Sequence, residues 1–478
     1  YQTFEMFQSL ADGPDILLPT EIWHGLYDGG HAAGLEDYWK VMYDKPLSAG
    51  FFLWVFSDEG VVRTDQNGRI DTDGNHAPDG IVGPHREKEG SFFALKEILS
   101  PVYISLNEID ATFDGTFPVQ NRFDFTNLNQ CTFEYWLADF PMPDESETGH
   151  RIVKKSAIES PNIAAHKKGK LKLRLPQDFR NHDALFLRAV DPFGNEIITR
   201  SFPIKKAADF ASKIIKPSEN KAMGSAENGM ISVASGKLNI QFDNNRGMLW
   251  QVSYGGTDIS LKNGPRLTAG GARTSTVKHY QQANDYVIEV TYVSGNFKYH
   301  KWTVMGSGWV KLEYGFEVYG YFDTVGITFN YPKDKVLGKK WLGDGPYRVW
   351  KNRQTGAMMN VWQNDYNNTI TGVTYDYPEF KGYFSDINWL VLQTEEVPIT
   401  ILSATDNLYL HAFTPDAPED ARFARAVFPN GDISILHGIA PIGTKFHAAD
   451  NIGPSGAKNH AAGLYEATLY FNFGILIK

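Results

Sequence analysis

Alternation between apolar and polar side chains dominates the sequence from residue 102 onward, and it constrains the fold more than any other feature. The stretches 132–136, 171–175, 184–189 and 237–242 all follow this period of two. Successive side chains of a β-strand point to opposite faces, so each stretch predicts a strand with one buried face. We therefore expect most of the chain to form antiparallel β-sandwiches.

Turn-forming residues and shifts in composition divide this β-rich part into two units. Residues 102–205 carry short strands at a spacing typical of an immunoglobulin-like β-sandwich. A linker rich in lysine and alanine covers residues 206–225. Residues 226–478 are again strand after strand, and their length favours one large antiparallel sandwich rather than two small domains.

The N-terminal part, residues 1–101, follows a different pattern. The predicted elements are, in chain order, a strand from 16 to 19, a helix over 35–43, a strand over 49–56, a polar loop over 64–80 and a helix over 92–99. Continuous apolar runs are typical of buried parallel strands, and alternation of strands with helices indicates an α/β barrel or a doubly wound sheet. Two strands have too little core to stand alone, so we expect this part to belong to something larger.

Composition excludes several classes of protein. The chain has 478 residues, and 46 basic against 56 acidic side chains give a net charge of -10. A basic stripe for nucleic acid or for an anionic membrane is missing, and no run of about 18 apolar residues could span a bilayer. Cys131 is the single cysteine, which excludes an internal disulfide and a cysteine-rich metal site. We expect no nucleic acid and no membrane as partners.

Glu21 lies where the first apolar strand ends, and an α/β barrel builds its active site at the C-terminal ends of its strands. Trp23, His24 and His31 follow within ten residues, and Trp54 lies near the end of the second apolar run. Aromatic faces and imidazoles around a carboxylate suit a sugar ring, which offers apolar C–H faces and hydroxyl groups. The alternative is that the tryptophans are core residues and that the histidines cap or bridge loop backbone.

Short motifs in this part resemble glycoside hydrolase family 2, and the β-galactosidase branch fits best. They are EIWHG at 21–25, GLEDYW at 34–39, GFFLW at 50–54, DQNG at 65–68 and KEILSPV at 96–102, followed more loosely by LGDGP at 342–346. The resemblance implies the C-terminal part of a (β/α)8 TIM barrel over residues 1–101, followed by the immunoglobulin-like sandwich. It further implies that residues 226–478 form a galactose-mutarotase-like sandwich of the β-galactosidase small-chain type.

The resemblance also implies roles for individual residues. Glu21 matches the family's catalytic nucleophile, at the end of the seventh barrel strand. His24 matches a histidine that contacts the sugar, and Trp54 matches the tryptophan that forms the floor of the galactose pocket. Asp79 falls where relatives place an asparagine near a monovalent cation. We expect Trp23, His24, Trp54 and Asp79 to bind substrate.

The implied activity is that of a retaining exo-β-glycosidase, most similar to a β-galactosidase, that hydrolyses terminal β-galactosides by double displacement. Such an enzyme needs two carboxyl groups about 5–5.5 Å apart. The family's acid/base precedes the nucleophile by many tens of residues, and the Asn-Glu pairs at 107–108 and 195–196 are better interpreted as turn residues. We therefore expect this chain to be the C-terminal portion of a larger enzyme, without the acid/base and inactive alone. The alternative is a non-catalytic carbohydrate-binding or scaffolding module, or a complementing subunit.

Further expectations concern ligands, partners and location. No cofactor is required, and the resemblance allows a monovalent or divalent cation near the sugar site. Expected partners are a β-galactoside or a related oligosaccharide, together with a second copy of the chain or a missing N-terminal barrel portion. Phe446, beside a polar loop over 447–456, is the candidate for an aromatic that relatives add to the sugar pocket from this domain. The polysaccharide-degrading character of the family indicates a periplasmic or extracellular location.

Overall fold

The computed structural model describes residues 1–23, 32–72, 77–365, 381–413 and 422–474. Antiparallel β-sheets make up most of this part of the chain, and helices are few. Within these ranges, no helix has the length and apolar character that crossing a membrane requires.

Among its described residues, the N-terminal part contains three α-helices and one β-hairpin. Its elements are α1 (Phe4–Ala11), α2 (Leu35–Tyr43), β1 (Gly60–Arg63), β2 (Arg69–Thr72) and α3 (Gly90–Ile98). The predicted helix over 35–43 is confirmed as α2, which buries Leu35, Tyr38 and Met42. The prediction of a loop over 64–80 is wrong for β2, which pairs antiparallel with β1. Asn67 and Gly68, both at positive φ, turn the chain into this hairpin, and Asn-Gly is a strong hairpin signal.

Two segments of the N-terminal part lie side by side in parallel, as the apolar runs predicted. Leu17 bridges to Ser48 and Ile22 bridges to Leu53, both in parallel orientation. The backbone N–H of Ile22 donates to the carbonyl oxygen of Phe52 at 2.9 Å. Helix α2 lies between the two segments in the chain, but the strands predicted over 16–19 and 49–56 do not form beyond isolated bridges. In the described residues this pairing is limited to isolated bridges, and no TIM barrel is formed.

An immunoglobulin-like sandwich follows. Its strands are β3 (Val102–Ile104), β4 (Thr116–Asn121), β5 (Thr132–Asp139), β6 (Arg151–Ile158), β7 (Lys168–Lys172), β8 (Ala184–Val190) and β9 (Glu196–Pro203). One sheet has the order β3-β4-β7 and the other β6-β5-β8-β9, with every pair antiparallel. Phe117, Phe133 and Leu185 are buried in the core between the sheets. Two antiparallel sheets around one core are what the alternating pattern predicted.

The segment expected as a linker contains a packed helix, α4 (Ala207–Ile214). Phe210 on this helix is 2% exposed and lies 6.3 Å from Phe140, measured between ring centroids. The N–H of Ala207 donates to the carboxylate of Asp406 at 2.8 Å. Helix α4 therefore touches the immunoglobulin-like sandwich on one side and the following domain on the other.

The large C-terminal domain contains eighteen strands in the residues that the structure describes. They are β10 (Met223–Glu227), β11 (Met230–Ser235), β12 (Leu238–Asp243), β13 (Leu249–Tyr254), β14 (Thr257–Ile259), β15 (Lys262–Leu267), β16 (Ala272–Gln282), β17 (Asp285–Gly295), β18 (Phe297–Val304), β19 (Val310–Phe322), β20 (Val325–Asn330), β21 (Val336–Gly345), β22 (Met358–Asp365), β23 (Trp389–Thr394), β24 (Ile399–Ser403), β25 (Tyr409–Ala412), β26 (Ile433–Gly438) and β27 (Asn459–Phe473). Their sheet orders are β10-β11-β12-β13-β14, β15-β20-β26-β25 and β16-β17-β18-β19-β27-β24-β23-β21-β22.

One continuous core connects these three sheets. Val233 of the first sheet, Ile327 of the second, and Leu312 and Leu469 of the third all belong to the same buried cluster. The three sheets therefore pack around one shared core, and the bounds 226–478 expected for a single large domain stay a prediction.

Loops of the large sandwich pack against the N-terminal part. The N–H of Gly34 donates to the carbonyl oxygen of Asn352 at 2.8 Å, and the N–H of Ser455 donates to Asp37 at 2.9 Å. Trp350 belongs to the same buried cluster as residues of α2. These contacts bring the segment after β26 next to the end of the first parallel segment, where Glu21 lies.

Candidate functional site

A cavity of about 470 Å³ opens at the end of the first parallel segment. Two distant parts of the chain form its wall. The lining residues are Tyr1, Gln2, Phe7, Leu10, Ile16, Leu17, Leu18, Pro19, Thr20, Glu21, Ile22, Trp23, Tyr38, Thr444, His447 and Ile452. Glu21 is the one carboxylate among these described lining residues. The cavity therefore combines the predicted strand-end glutamate with a loop of the large sandwich.

Glu21 is exposed to this cavity and accepts a hydrogen bond from the hydroxyl of Tyr1. Burial raises the pKa of the Tyr1 hydroxyl, and the neighbouring Glu21 carboxylate raises it further, so the hydroxyl stays protonated and can donate. The Tyr1 ring stacks on Phe446 with 4.0 Å between ring centroids. Phe446, the aromatic suggested from the sequence, thus contacts Tyr1, which in turn contacts Glu21.

Trp23 is buried and lines the inner wall of the cavity. Its side chain is 4% exposed, and its indole N–H donates to the carbonyl oxygen of Ala33 at 2.5 Å. The ring packs edge-on against Tyr38, with 4.1 Å between centroids. Trp23 therefore belongs both to the core and to the cavity wall, and its expected contact with substrate stays a prediction. His24, the other expected contact beside it, lies outside the described residues.

Trp54 and Asp79, which the sequence proposed as substrate-binding residues, lie next to each other. The Trp54 side chain lies beside the Asp79 carboxylate and favours its ionised form, and the Trp54–Val55 peptide bond is cis. Asp79 is 2% exposed. Burial raises the pKa of Asp79 to about 7, and the negative charge of Glu59 acts in the same direction. Neither residue is among those that line the cavity beside Glu21, so their contact with substrate stays a prediction.

Two further acidic residues, Asp58 and Glu89, lie next to the loop that carries Asp79. Asp58 is 3% exposed and accepts a hydrogen bond from the N–H of Gly80 at 2.7 Å. Burial raises the pKa of Glu89 well above its ordinary range, and so does Asp58, to which the Glu89 carboxyl is hydrogen-bonded. A protonated Glu89 that donates to an ionised Asp58 is the arrangement that these shifts indicate.

Two residues of the loop after β26 were not identified as site residues from the sequence. Lys445 places its ammonium 4.0 Å from Oδ2 of Asp79, and its side chain is 14% exposed. His447 lines the cavity, and its buried Nε2 atom has no hydrogen-bond partner among the described residues. Burial lowers the pKa of His447, which favours the neutral imidazole. No local motif marks either residue, because their partners lie hundreds of positions earlier in the chain.

The cation expected near the sugar site stays a prediction, and the Oδ2 atom of Asp79 already has a positive charge beside it. A metal ion on a carboxylate oxygen lies about 2–2.6 Å from it, and an ion at Oδ2 would meet the Lys445 ammonium that already lies 4.0 Å away. In the described ranges, no group of three or more histidine, cysteine, aspartate or glutamate side chains is placed to hold a metal. The Lys445 ammonium therefore supplies the positive charge at this carboxylate.

Comparisons with known proteins support the family suggested by the motifs. Residues 234–445 match the family model described as β-galactosidase small chain. The chain is 22% identical to a β-galactosidase of Priestia megaterium over an alignment of 422 residues, and the match covers 77% of this chain and 39% of that protein. It is 29% identical to a β-galactosidase of Actinobacillus pleuropneumoniae over an alignment of 123 residues, and the match covers 23% of this chain and 12% of that protein. The chain thus spans well under half the length of either relative.

Likeness to solved structures is weaker. A galactose 1-epimerase from Lactobacillus acidophilus NCFM matches 53% of this chain and 98% of its own, with 10% identity and a TM-score of 0.30. An exo-chitosanase CsxA from Amycolatopsis orientalis matches 55% of this chain and 33% of its own, with 9% identity and a TM-score of 0.18. TM-scores this low carry no argument, so the galactose-mutarotase-like fold stays a prediction. The family match identifies a β-galactosidase small-chain region of the glycoside hydrolase family 2 type, as the sequence motifs indicated.

Proposed function

We propose that this chain is part of a retaining exo-β-glycosidase, a β-galactosidase, and that it contributes the nucleophile Glu21 and one wall of the sugar site. One observation carries the proposal. Glu21 lies at the end of a segment paired in parallel through isolated bridges, beside a cavity of about 470 Å³ that is closed on one side by a loop next to a β-galactosidase small-chain region. The aromatic rings of Tyr1, Trp23 and Tyr38 supply faces on which sugar C–H groups pack.

The proposed reaction is a double displacement. The ionised Glu21 carboxylate attacks the anomeric carbon, the bond to the leaving oxygen breaks, and a second carboxyl group gives its proton to that oxygen. The same second group then takes a proton from water, whose oxygen replaces Glu21 at the anomeric carbon and releases the sugar. The Tyr1 hydroxyl, which donates to Glu21, is suited to hold the nucleophile in position.

A larger barrel is part of the proposal. Ile16, Leu18 and Phe52, which lie in or beside the two parallel segments, are 72%, 44% and 62% exposed. Apolar side chains of parallel strands are ordinarily covered on both faces, so further strands are the natural cover for these side chains. We propose that residues 1–101 form the C-terminal part of a (β/α)8 barrel and that additional polypeptide supplies the second carboxyl group.

His447 adds a candidate contact to sugar hydroxyl groups. His447 lines the cavity, and its buried Nε2 atom lacks a partner within the described part of the chain. A buried polar atom without a partner is costly, and a bound hydroxyl group would satisfy it. We propose that His447 and Glu21 contact the same sugar ring from opposite parts of the chain.

Covalent labelling of the intact protein tests the nucleophile. A β-galactoside with fluorine at carbon 2 and an activated leaving group should label Glu21, and peptide mass spectrometry should locate the added mass there. Glu21→Gln should abolish both labelling and hydrolysis of a chromogenic β-galactoside. Glu5→Gln, a change at an exposed glutamate of α1, should leave both unchanged. Labelling at another carboxylate would refute the assignment.

The 478-residue chain alone provides a second test. We expect it not to hydrolyse β-galactosides, because the second carboxyl group is proposed to come from other polypeptide. Hydrolysis by this chain that is lost in Glu21→Gln would contradict that part of the proposal. Binding of galactosides without hydrolysis by the intact protein would instead support a carbohydrate-binding module.

A further inference from the structure

Asp79 is a carboxylate buried among other negative charges. It is 2% exposed, and Asp58 beside it is 3% exposed. Asp58 and Glu59 both make ionisation of Asp79 less favourable, as the direction of its pKa shift shows. A buried carboxylate of this kind is stable in its ionised form only when a positive charge lies close to it.

Lys445 brings that positive charge from another domain. It belongs to the loop that follows β26 of the large sandwich, whereas Asp79 belongs to the loop between β2 and α3. The Lys445 side chain is 14% exposed, and its ammonium lies 4.0 Å from Asp79 and 6.0 Å from the ring centroid of Phe446. The ammonium is therefore held largely away from water, where its attraction to Asp79 is stronger than at the surface.

We propose that Lys445 is a positioning residue that acts as the built-in counter-ion of Asp79, and that it keeps Trp54 and the loop 444–447 at the sugar site without a bound metal cation. The link to Trp54 is short, because the Trp54 side chain lies beside the Asp79 carboxylate and favours its ionised form. The link to the cavity is equally short, because Thr444 and His447, which lie on either side of Lys445 in the sequence, line the cavity. This inference deepens the proposed function, on which its kinetic measurements rest.

The first measurement uses the unmodified intact protein. Sodium and potassium chloride are titrated against choline chloride at constant ionic strength, and both the thermal unfolding midpoint and KM for a chromogenic β-galactoside are recorded. We expect no saturable effect of either metal ion. Saturable stabilisation or a saturable fall in KM would overturn the inference, since it would place a metal ion at the site. The unfolding midpoint tests the counter-ion even if no glycosidase activity is found.

Variants of Lys445 provide the second measurement. Lys445→Met should lower the unfolding midpoint and raise KM about tenfold, more than it lowers kcat, because the pair positions a binding surface. Lys445→Arg should restore most of both losses. Sodium or potassium ions should partly rescue Lys445→Ala, in which space and negative charge are left beside Asp79. Lys458→Met, which removes a lysine paired with Asp323 at the surface, is the matched control and should change neither quantity.

A double-mutant cycle separates the pair from a general effect of the loop. Asp79→Asn removes the charge that Lys445 neutralises, so Lys445→Met should cost much less in that background than alone. Equal effects of Lys445→Met in both backgrounds would overturn the pairing. If Lys445→Met does not fold, the Lys445→Arg variant and the ion titration of the unmodified protein still decide the question.

Discussion

The close approach of Gly34 to the large sandwich allows a sharp test of how the two walls of the cavity are held together. Gly34 adopts a φ of +72°, and a Cβ atom built on it would lie 2.3 Å from the carbonyl oxygen of Ile452. Both facts are backbone properties, so no side-chain rotation can relieve the clash. Gly34→Ala should therefore push the segment around Ile452 away from the N-terminal part.

The expected cost follows from two contributions. The left-handed backbone costs an alanine about 1–2 kcal/mol. Displacing the segment also weakens the bonds from Gly34 N–H to Asn352 and from Ser455 N–H to Asp37, each worth about 1 kcal/mol. The sum is about 3–4 kcal/mol. Gly68→Ala is the matched control, because Gly68 has a φ of +79° and nothing within 4 Å of the added atom.

Hydrogen exchange measured by mass spectrometry is the suitable assay, because it reports local opening in a chain of several domains. Gly34→Ala should speed exchange of the peptides that cover 444–456 by about 30-fold relative to Gly68→Ala, which corresponds to about 2 kcal/mol. KM for a β-galactoside should rise in Gly34→Ala as the loop moves. Equal exchange in the two variants would refute the inference that backbone contact at Gly34 fixes the loop.

Two further predictions concern pH. Glu89 ionises in the ordinary carboxyl range in the unfolded chain but keeps its proton in the folded chain, so the free energy of unfolding should fall as the pH rises above that range. Glu89→Gln, whose amide can still donate to Asp58, should make this fall smaller. Urea unfolding midpoints measured across the pH range check this prediction. Burial lowers the pKa of His300 to about 4 and that of His437 to about 4, so the unfolded chain takes up protons first on acidification. Each of these two histidines should therefore lower the free energy of unfolding by about 2 kcal/mol between pH 7 and pH 5. His300→Asn should reduce that loss. The same pH dependence in the variant would contradict the assignment.

The sandwiches could be predicted from the sequence because each strand carries its own evidence. In β5 the alternating side chains of Phe133 and Tyr135 are buried, and in β12 those of Leu238, Ile240 and Phe242 are buried. Such alternation is a local property of the chain, and a core between sheets follows from it directly. The parallel pairing near Glu21 was predictable for the same reason, since two continuous apolar runs flank one amphipathic helix.

The site was predictable only on the side formed by the N-terminal part. Glu21 could be found because a carboxylate directly after a continuous apolar run is a local signal. Lys445 and His447 carry no such signal, because what makes them part of the site is contact with residues that precede them by hundreds of positions. Asp79 was found by family resemblance, but its partner Lys445 depends on how two domains pack, which no short motif encodes.

The packing of these domains explains why the two walls of the cavity are physically coupled. The Lys445–Asp79 pair fixes the loop after β26 at one end, and the close approach of Gly34 to Ile452, together with the hydrogen bond from Ser455 to Asp37, fixes it at the other. The two sets of contacts share no residue, so their losses should add unless the loop moves as one body. His447 lies between these two sets of contacts on the same loop. A combined Gly34→Ala and Lys445→Met variant should therefore lose more stability than the sum of the losses in the two single variants. That excess measures how far the sugar site depends on domain packing rather than on Glu21 alone.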